Sequence, residues 1–239
     1  MGKRLIARHP LQAQPGGERI IIVGTGETAA VAFEYFRRDS PHEVVAFSAE
    51  EPFVTHRTHC GLPVVPLEEL ASVYPAAEHG VFVAVAFTQL NRVRRRLYHA
   101  VKAAGFDCVS YASSHAVIWP DVKIGENSFV QEHVVVQHGA LAGANVFLGS
   151  GTCLGYRSVV EDDCYLGAHV TVGDRCRVGR ASFLSTGSCI AEGQSVAEDC
   201  IIGAGAVILK DTAAREVYLG NPARPVGRDS FETFGVTGG

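Results

Sequence analysis

From Ile118 onward an aliphatic or small apolar side chain returns at every sixth position: Ile118, Ile124, Val130, Val136, Ala142, Leu148, Leu154, Val160, Leu166, Val172, Val178, Leu184, Ile190, Val196, Ile202 and Ile208. The register runs through sixteen turns with no insertion. The residue after the aliphatic one is Gly in eight turns, and the residue four after it is small or β-branched, as at Thr152, Ser158, Cys164, Cys176, Ser188 and Cys200. A hexapeptide period predicts short parallel strands wound into a β-helix, each repeat burying one aliphatic side chain and turning a corner at a small residue. Three repeats, or 18 residues, make one triangular coil. Just over five coils at a strand spacing of about 4.8 Å give a prism roughly 25 Å tall.

The first half of the chain is patterned differently. Arg19 to Val23 (RIIIV) is an apolar run closed by GTGETA and followed by a helical stretch, AAVAFEYFRR. Val44 to Phe47 and Val81 to Val85 are further apolar runs, the second followed by the amphipathic stretch LNRVRRRLYHAVKAAGF. Strands alternating with helices predict an α/β domain with a small Rossmann-like parallel sheet. The expected organisation is a flexible extension over 1–18, the α/β domain over 19–112, the β-helix over 113–210 and a C-terminal loop and tail over 211–239. Gly24, Thr25, Gly26 and Glu27 form a strand-to-helix turn whose backbone N–H groups suit a phosphate, although a GxGxxA turn can also be only a tight connection. A dinucleotide fold takes about 150 residues and an acidic residue ending its second strand. Here the second strand runs into Phe47, Ser48 and Ala49, so a mononucleotide or its sugar is the expected ligand.

Composition narrows the class. The 239 residues are 47% hydrophobic and 19% charged, with 21 Lys+Arg against 25 Asp+Glu and a net charge of −4, which builds a core and leaves no basic footprint for nucleic acid. No apolar run reaches the roughly 18 residues of a membrane helix, and the start lacks the apolar middle of a signal peptide. A soluble cytoplasmic protein is expected. Seven Cys without a CxxC fit reduced thiols, with Cys164, Cys176 and Cys200 in the core.

Residues 18 apart stack on one corner of a β-helix. His115, His133 and His169 therefore share a column, with Gly151 between the last two. His138, Tyr156 and Asp174 share a second, flanked by Arg157 and Arg175. Core packing demands no imidazole at outward corners, so both columns are candidate chemistry. A narrow prism with exposed apolar strand residues is expected to pack around a threefold axis. In such a homotrimer the His133/His169 corner of one chain can face the His138/Tyr156 corner of the next, where a His can act as general base.

The segments GTGETA, SSHAVIWPDVKIGENSFV and IIGAGAVILKD…YLGNPARPVG, spanning about residues 19–228, resemble the bacterial sugar acyltransferases of the left-handed β-helix, hexapeptide-repeat family, the kind that acetylates nucleotide-linked amino sugars such as the bacillosamine precursor or acts in the sialic-acid pathway. The resemblance implies a left-handed β-helix and a uridine diphosphate-sugar held by the N-terminal half. It also implies acetyl-coenzyme A lying between subunits near Gly187, Gly205 and the Asn221–Pro222 loop, with no metal. The family's catalytic base is a His two residues after the aliphatic position of the third coil; here that segment reads Cys153-Leu-Gly-Tyr-Arg-Ser, which puts Tyr156 at the base position and Arg157 beside it. A phenol is mostly protonated at neutral pH and is a poor base unless a cation stabilises its anion. The catalytic candidates are accordingly His138, Tyr156, Arg157 and His169.

Two other readings remain open at this level. The spacing of His133 and His138 resembles the zinc pair of the gamma-class carbonic anhydrases, which need three His from two chains. A trimeric binding protein that keeps the clefts and lacks a working base is the other.

Overall fold

The computed structural model describes His9, Leu11 and residues 17–236. In the N-terminal domain β1 (Arg19–Val23) leads into α1 (Glu27–Asp39), followed by β2 (Glu43–Ala49), the short β3 (Thr58–His59), β4 (Leu62–Pro66), α2 (Leu70–Val73), β5 (His79–Val83) and α3 (Arg92–Ala103). The sheet order is β3-β4-β2-β1-β5. The strands run parallel except at the edge, where β3 and β4 form an antiparallel hairpin, so the expected parallel sheet is a small mixed one. Ile20, Ile21 and Ile22 are fully buried because β1 is covered on both faces, which is why its sequence is a continuous apolar run. Ala29, Ala32, Phe33 and Phe36 recur at helical spacing and seat α1 on one face of that sheet.

The repeats form a parallel β-helix with three faces. Face I carries strands such as Phe129–Val130, Phe147–Leu148 and Tyr165–Leu166; face II carries Val135–Val136, Cys153–Leu154 and Thr171–Val172; face III carries Leu141–Ala142, Val159–Val160 and Arg177–Val178. Each strand pairs with those 18 residues away, for example Val135 with Cys153 and Cys153 with Thr171. The aliphatic series fills the interior, only Ile124 being half-buried, and Cys164, Cys176 and Cys200 are core residues as expected. The Gly after the aliphatic position has a steric cause. A Cβ at Gly149 would stand 2.7 Å from the Ala168 backbone nitrogen of the next coil, closer than any side chain tolerates.

Several features depart from the pattern read in the sequence. His9, expected in a flexible extension, is buried and its Nε2 donates to the Val122 carbonyl at 3.0 Å, while Leu11 packs on the β-helix core; the other residues before 17 lie outside the described ones. Beyond residue 210, Glu216–Leu219 adds one more parallel strand to face I and pairs antiparallel with Arg224–Asp229. A short helix, Ser230–Phe234, follows, N-capped by Asp229. The expected loop and tail thus contain a hairpin and helix, through which Phe234 reaches Phe87 and Phe183.

The two domains are welded along face I. Tyr111, Phe129, Phe147, Tyr165 and Phe183 form an outward ladder, with the Phe147 and Tyr165 rings stacked at 4.3 Å. Tyr35, Phe36 and Phe82 of the N-terminal domain meet its lower rungs edge-on, and Phe87 meets the upper ones. Beside the ladder, the buried Asn127, Asn145 and Asp163 are chained by side-chain hydrogen bonds of 2.7 and 2.8 Å, and Asn127 Oδ1 accepts from the Val83 N–H at 2.7 Å.

Candidate active site

Three groups of residues carry the candidate chemistry. The first is the turn after β1. Gly24 is buried at φ +129°, a conformation that disfavours any side chain, and a Cβ there would meet the Ala84 carbonyl at 2.6 Å. Gly26, exposed, starts the thirteen-residue helix α1, with Glu27 exposed beside it. The start of α1, at Glu27 and Thr28, borders a cavity of about 510 Å³ between α1 and face I. Glu27, Thr28 and Val31 form one wall, Phe147 and Tyr165 the other, and the Gly167–Ala168 backbone, just before His169, the rim.

The second group is the corner between faces I and II. His115, His133, Gly151, His169, Gly187 and Gly205 stand on it at 18-residue intervals, and from His133 on each takes a left-handed φ between 56° and 73°. The His115 and His133 rings lie 6.3 Å apart, and the exposed His169 ring occupies the space a Cβ on Gly151 would need. Above it the corner is smooth. Gly187 and Gly205 are exposed, and a Cβ on Gly205 would touch nothing within 4 Å. The turn with the cis Asn221–Pro222 bond continues the upper end, where Val207 donates to the Gly220 carbonyl and Ala223 to the Val207 carbonyl.

The third group is the corner between faces II and III. The His138 and Tyr156 rings are stacked at 5.8 Å and 24°, and the Arg157 guanidinium stands 5.1 Å over the Tyr156 ring. The Tyr156 N–H donates to Asp174 Oδ1 at 2.9 Å, so this column is joined as its spacing predicts. His138 Nδ1 lies 2.8 Å from Asp121 Oδ2, which also accepts from the Gly139 N–H at 2.8 Å. Desolvation pushes the Asp121 carboxyl up, but these two donors outweigh it and hold the group below its ordinary value.

Within one chain, His138, Tyr156 and Arg157 are brought together, as are His169, Gly187 and Gly205. Face II separates the two sets. His133 and His138 stand on different corners, and among the described residues no group of three or more His, Cys, Asp or Glu side chains is arranged to hold a metal. Sequence reasoning missed Asp121, Phe87 and the aromatic ladder. The ladder was visible as aromatics at 129, 147, 165 and 183; Asp121 lies one coil below Gly139 and leaves no periodic trace.

No protein-family model and no curated protein matches the sequence. Solved structures do match. A histidine-to-asparagine mutant of perosamine N-acetyltransferase from Caulobacter crescentus, in complex with CoA and GDP-perosamine, is 26% identical, covers 88% of this chain and 97% of its own, and superposes with a TM-score of 0.78. The acetyltransferase domain of PglB from Neisseria gonorrhoeae is 24% identical over 88% of this chain and all of its own, with a TM-score of 0.80, and WeeI from Acinetobacter baumannii is 21% identical over 87% and 100%, with a TM-score of 0.63; both speak to the fold. In domain order, extent and repeat architecture the chain is similar to these solved sugar N-acetyltransferases of the hexapeptide-repeat, left-handed β-helix kind.

Proposed function

We propose that the protein transfers an acyl group, acetyl in the simplest case, from an acyl-coenzyme A to an amine or hydroxyl of a nucleotide-linked sugar, in three clefts of a cytoplasmic homotrimer. The observation that carries this reading is the cavity between the first turn of α1, at Glu27 and Thr28, and face I, whose rim at Gly167 and Ala168 stands just before His169. A helix start that suits an anion thereby stands near the corner that presents Gly187 and Gly205. A nucleotide diphosphate at the turn would have its sugar directed toward that corner, with the apolar ring faces of Phe147 and Tyr165 as a wall. The similar Caulobacter enzyme, crystallised with CoA and GDP-perosamine, supports the pairing of these two ligand classes.

The coenzyme supplies a thioester carbonyl open to attack. This chain's residues bind and orient. Gly187, Gly205, Asn221 and Pro222 hold the donor, and Gly24, Thr25, Gly26 and Glu27 hold the nucleotide. The II–III corner of a neighbouring subunit closes the cleft opposite His169 and brings His138, Tyr156 and Arg157. A deprotonated amine needs less help from a base than a hydroxyl, so N-transfer is the favoured chemistry.

The test is release of thiol from acetyl-coenzyme A in the presence of uridine, guanosine and thymidine diphosphate amino sugars, against a control without acceptor. Acceptor-dependent release establishes the transferase. Coenzyme binding with no release across the panel would leave the trimeric binding protein as the reading.

A further inference from the structure

We infer that the general base of this site is His138 oriented by Asp121, one coil below the position where the family places its histidine, with Tyr156 as an aromatic wall. This rests on the transferase reading above.

The geometry distinguishes the two candidates. A base needs an unencumbered acceptor atom and a partner that fixes its orientation. His138 has both. The Asp121 carboxylate, 2.8 Å from Nδ1, accepts a hydrogen bond from the Nδ1–H and so leaves the Nε2 lone pair as the acceptor. The Gly139 N–H binds the same carboxylate oxygen at 2.8 Å, which pins Asp121 to the backbone beside the His it serves. The stacked Tyr156 ring covers one side of the imidazole, and Trp119 approaches it edge-on at 6.1 Å. The His138 side chain nevertheless remains 57% exposed, open to a partner across the cleft. Tyr156 is engaged differently. Its ring stacks on His138 and has the Arg157 guanidinium 5.1 Å from its centroid, so its ring faces are used in packing, and among the described residues no carboxylate orients its hydroxyl as Asp121 orients His138.

In the reaction, the acceptor nitrogen's lone pair forms the bond to the thioester carbonyl carbon and the C–S bond breaks, the sulfur leaving with its electron pair. The proton lost by nitrogen passes to His138 Nε2 and from there to the departing sulfur, which ends as the free thiol. Asp121 touches neither substrate and is a positioning residue.

Coil-to-coil straps from a carboxylate to a backbone N–H recur in this β-helix, as where Asp162 Oδ1 accepts from the Ala144 N–H at 2.9 Å, so a purely structural role for Asp121 needs its own control. The experiment compares D121N, H138N, Y156F and D162N in the full-length protein, measuring kcat and KM for donor and acceptor, oligomeric state, and the His138 ring tautomer by 15N NMR. The inference expects H138N to lower kcat by about 10²- to 10⁴-fold. D121N should lower kcat by about 10²-fold, with both KM values and the oligomeric state held. Y156F should fall by less than about ten-fold, and D162N should match the wild type. The wild-type ring should carry its hydrogen on Nδ1, and D121N should lose that preference. A D121N enzyme with wild-type kcat, or a Y156F loss as large as that of H138N, overturns the inference. Failure of the transferase reading would show separately, as no turnover by the wild type, and in that case the tautomer measurement still decides whether Asp121 holds His138.

Discussion

Asn145 is the middle link of the chain that ties the N-terminal domain to the β-helix, and removing its side chain should loosen that joint measurably. It is 1% exposed, its Oδ1 accepts from Asn127 Nδ2 at 2.7 Å and its Nδ2 donates to Asp163 Oδ1 at 2.8 Å. Burial pushes the Asp163 carboxyl up, and the Asn145 bond and the Arg95 charge at 3.4 Å partly counter this. Without Asn145 a buried amide donor and a buried carboxylate oxygen each lose a partner, at about 1–3 kcal/mol apiece, so the loss should be about 2–6 kcal/mol. The backbone must be accounted for as well, because Asn145 sits at φ 58°, where Asn is tolerated and Ala costs roughly 1 kcal/mol more. Asn145→Gly therefore carries the polar loss alone and Asn145→Ala carries both. Urea unfolding, followed through Trp119, the only tryptophan, and through far-ultraviolet circular dichroism, measures the change. Both variants within about 0.5 kcal/mol of the wild type would refute the claim that this chain holds the domains together.

Two further predictions concern stability. Asp39 accepts from the Tyr111 hydroxyl at 2.7 Å, the Ser113 hydroxyl at 3.1 Å and the Ser114 N–H at 2.8 Å, and although burial raises its carboxyl, these donors together hold it below the ordinary aspartate range. A depressed folded-state value means a contribution that is full above the unfolded value and lost as pH falls through the folded one. The stability gap between wild type and Asp39→Asn should thus be level at neutral pH and shrink on acidification below about pH 4, in urea titrations at a series of pH values; a gap that widens would contradict the assignment. Gly149→Ala should destabilise by about 1–3 kcal/mol, since the adjoining coil's backbone cannot yield, whereas Gly193→Ala, at φ 73° in open space, should lose only roughly 1 kcal/mol from its backbone conformation. Thermal melts that rank the two the other way would show that the coil spacing is less rigid than the structure implies.

The β-helix was legible because its rule is local and repeats. Each hexapeptide must bury one aliphatic side chain and turn at a small residue, so the spacing alone placed His138 beneath Tyr156 and Gly151 beneath His169. The strand, glycine turn and α1 were legible for the same reason, each being a short pattern of burial and backbone need. What the sequence could not determine was the relation between its two rhythms. Phe147 and Tyr165 read as ordinary strand residues until α1 and Phe87 are laid against face I and make them walls of a cavity. The Asn127–Asn145–Asp163 chain needed Val83, 44 residues before Asn127, as its terminus. Asp121 acquires a role only because the first coil's corner is shaped so that its carboxylate reaches up to Nδ1 of His138. Periodic burial is encoded residue by residue, whereas a site made by docking two domains depends on distances that no single segment contains.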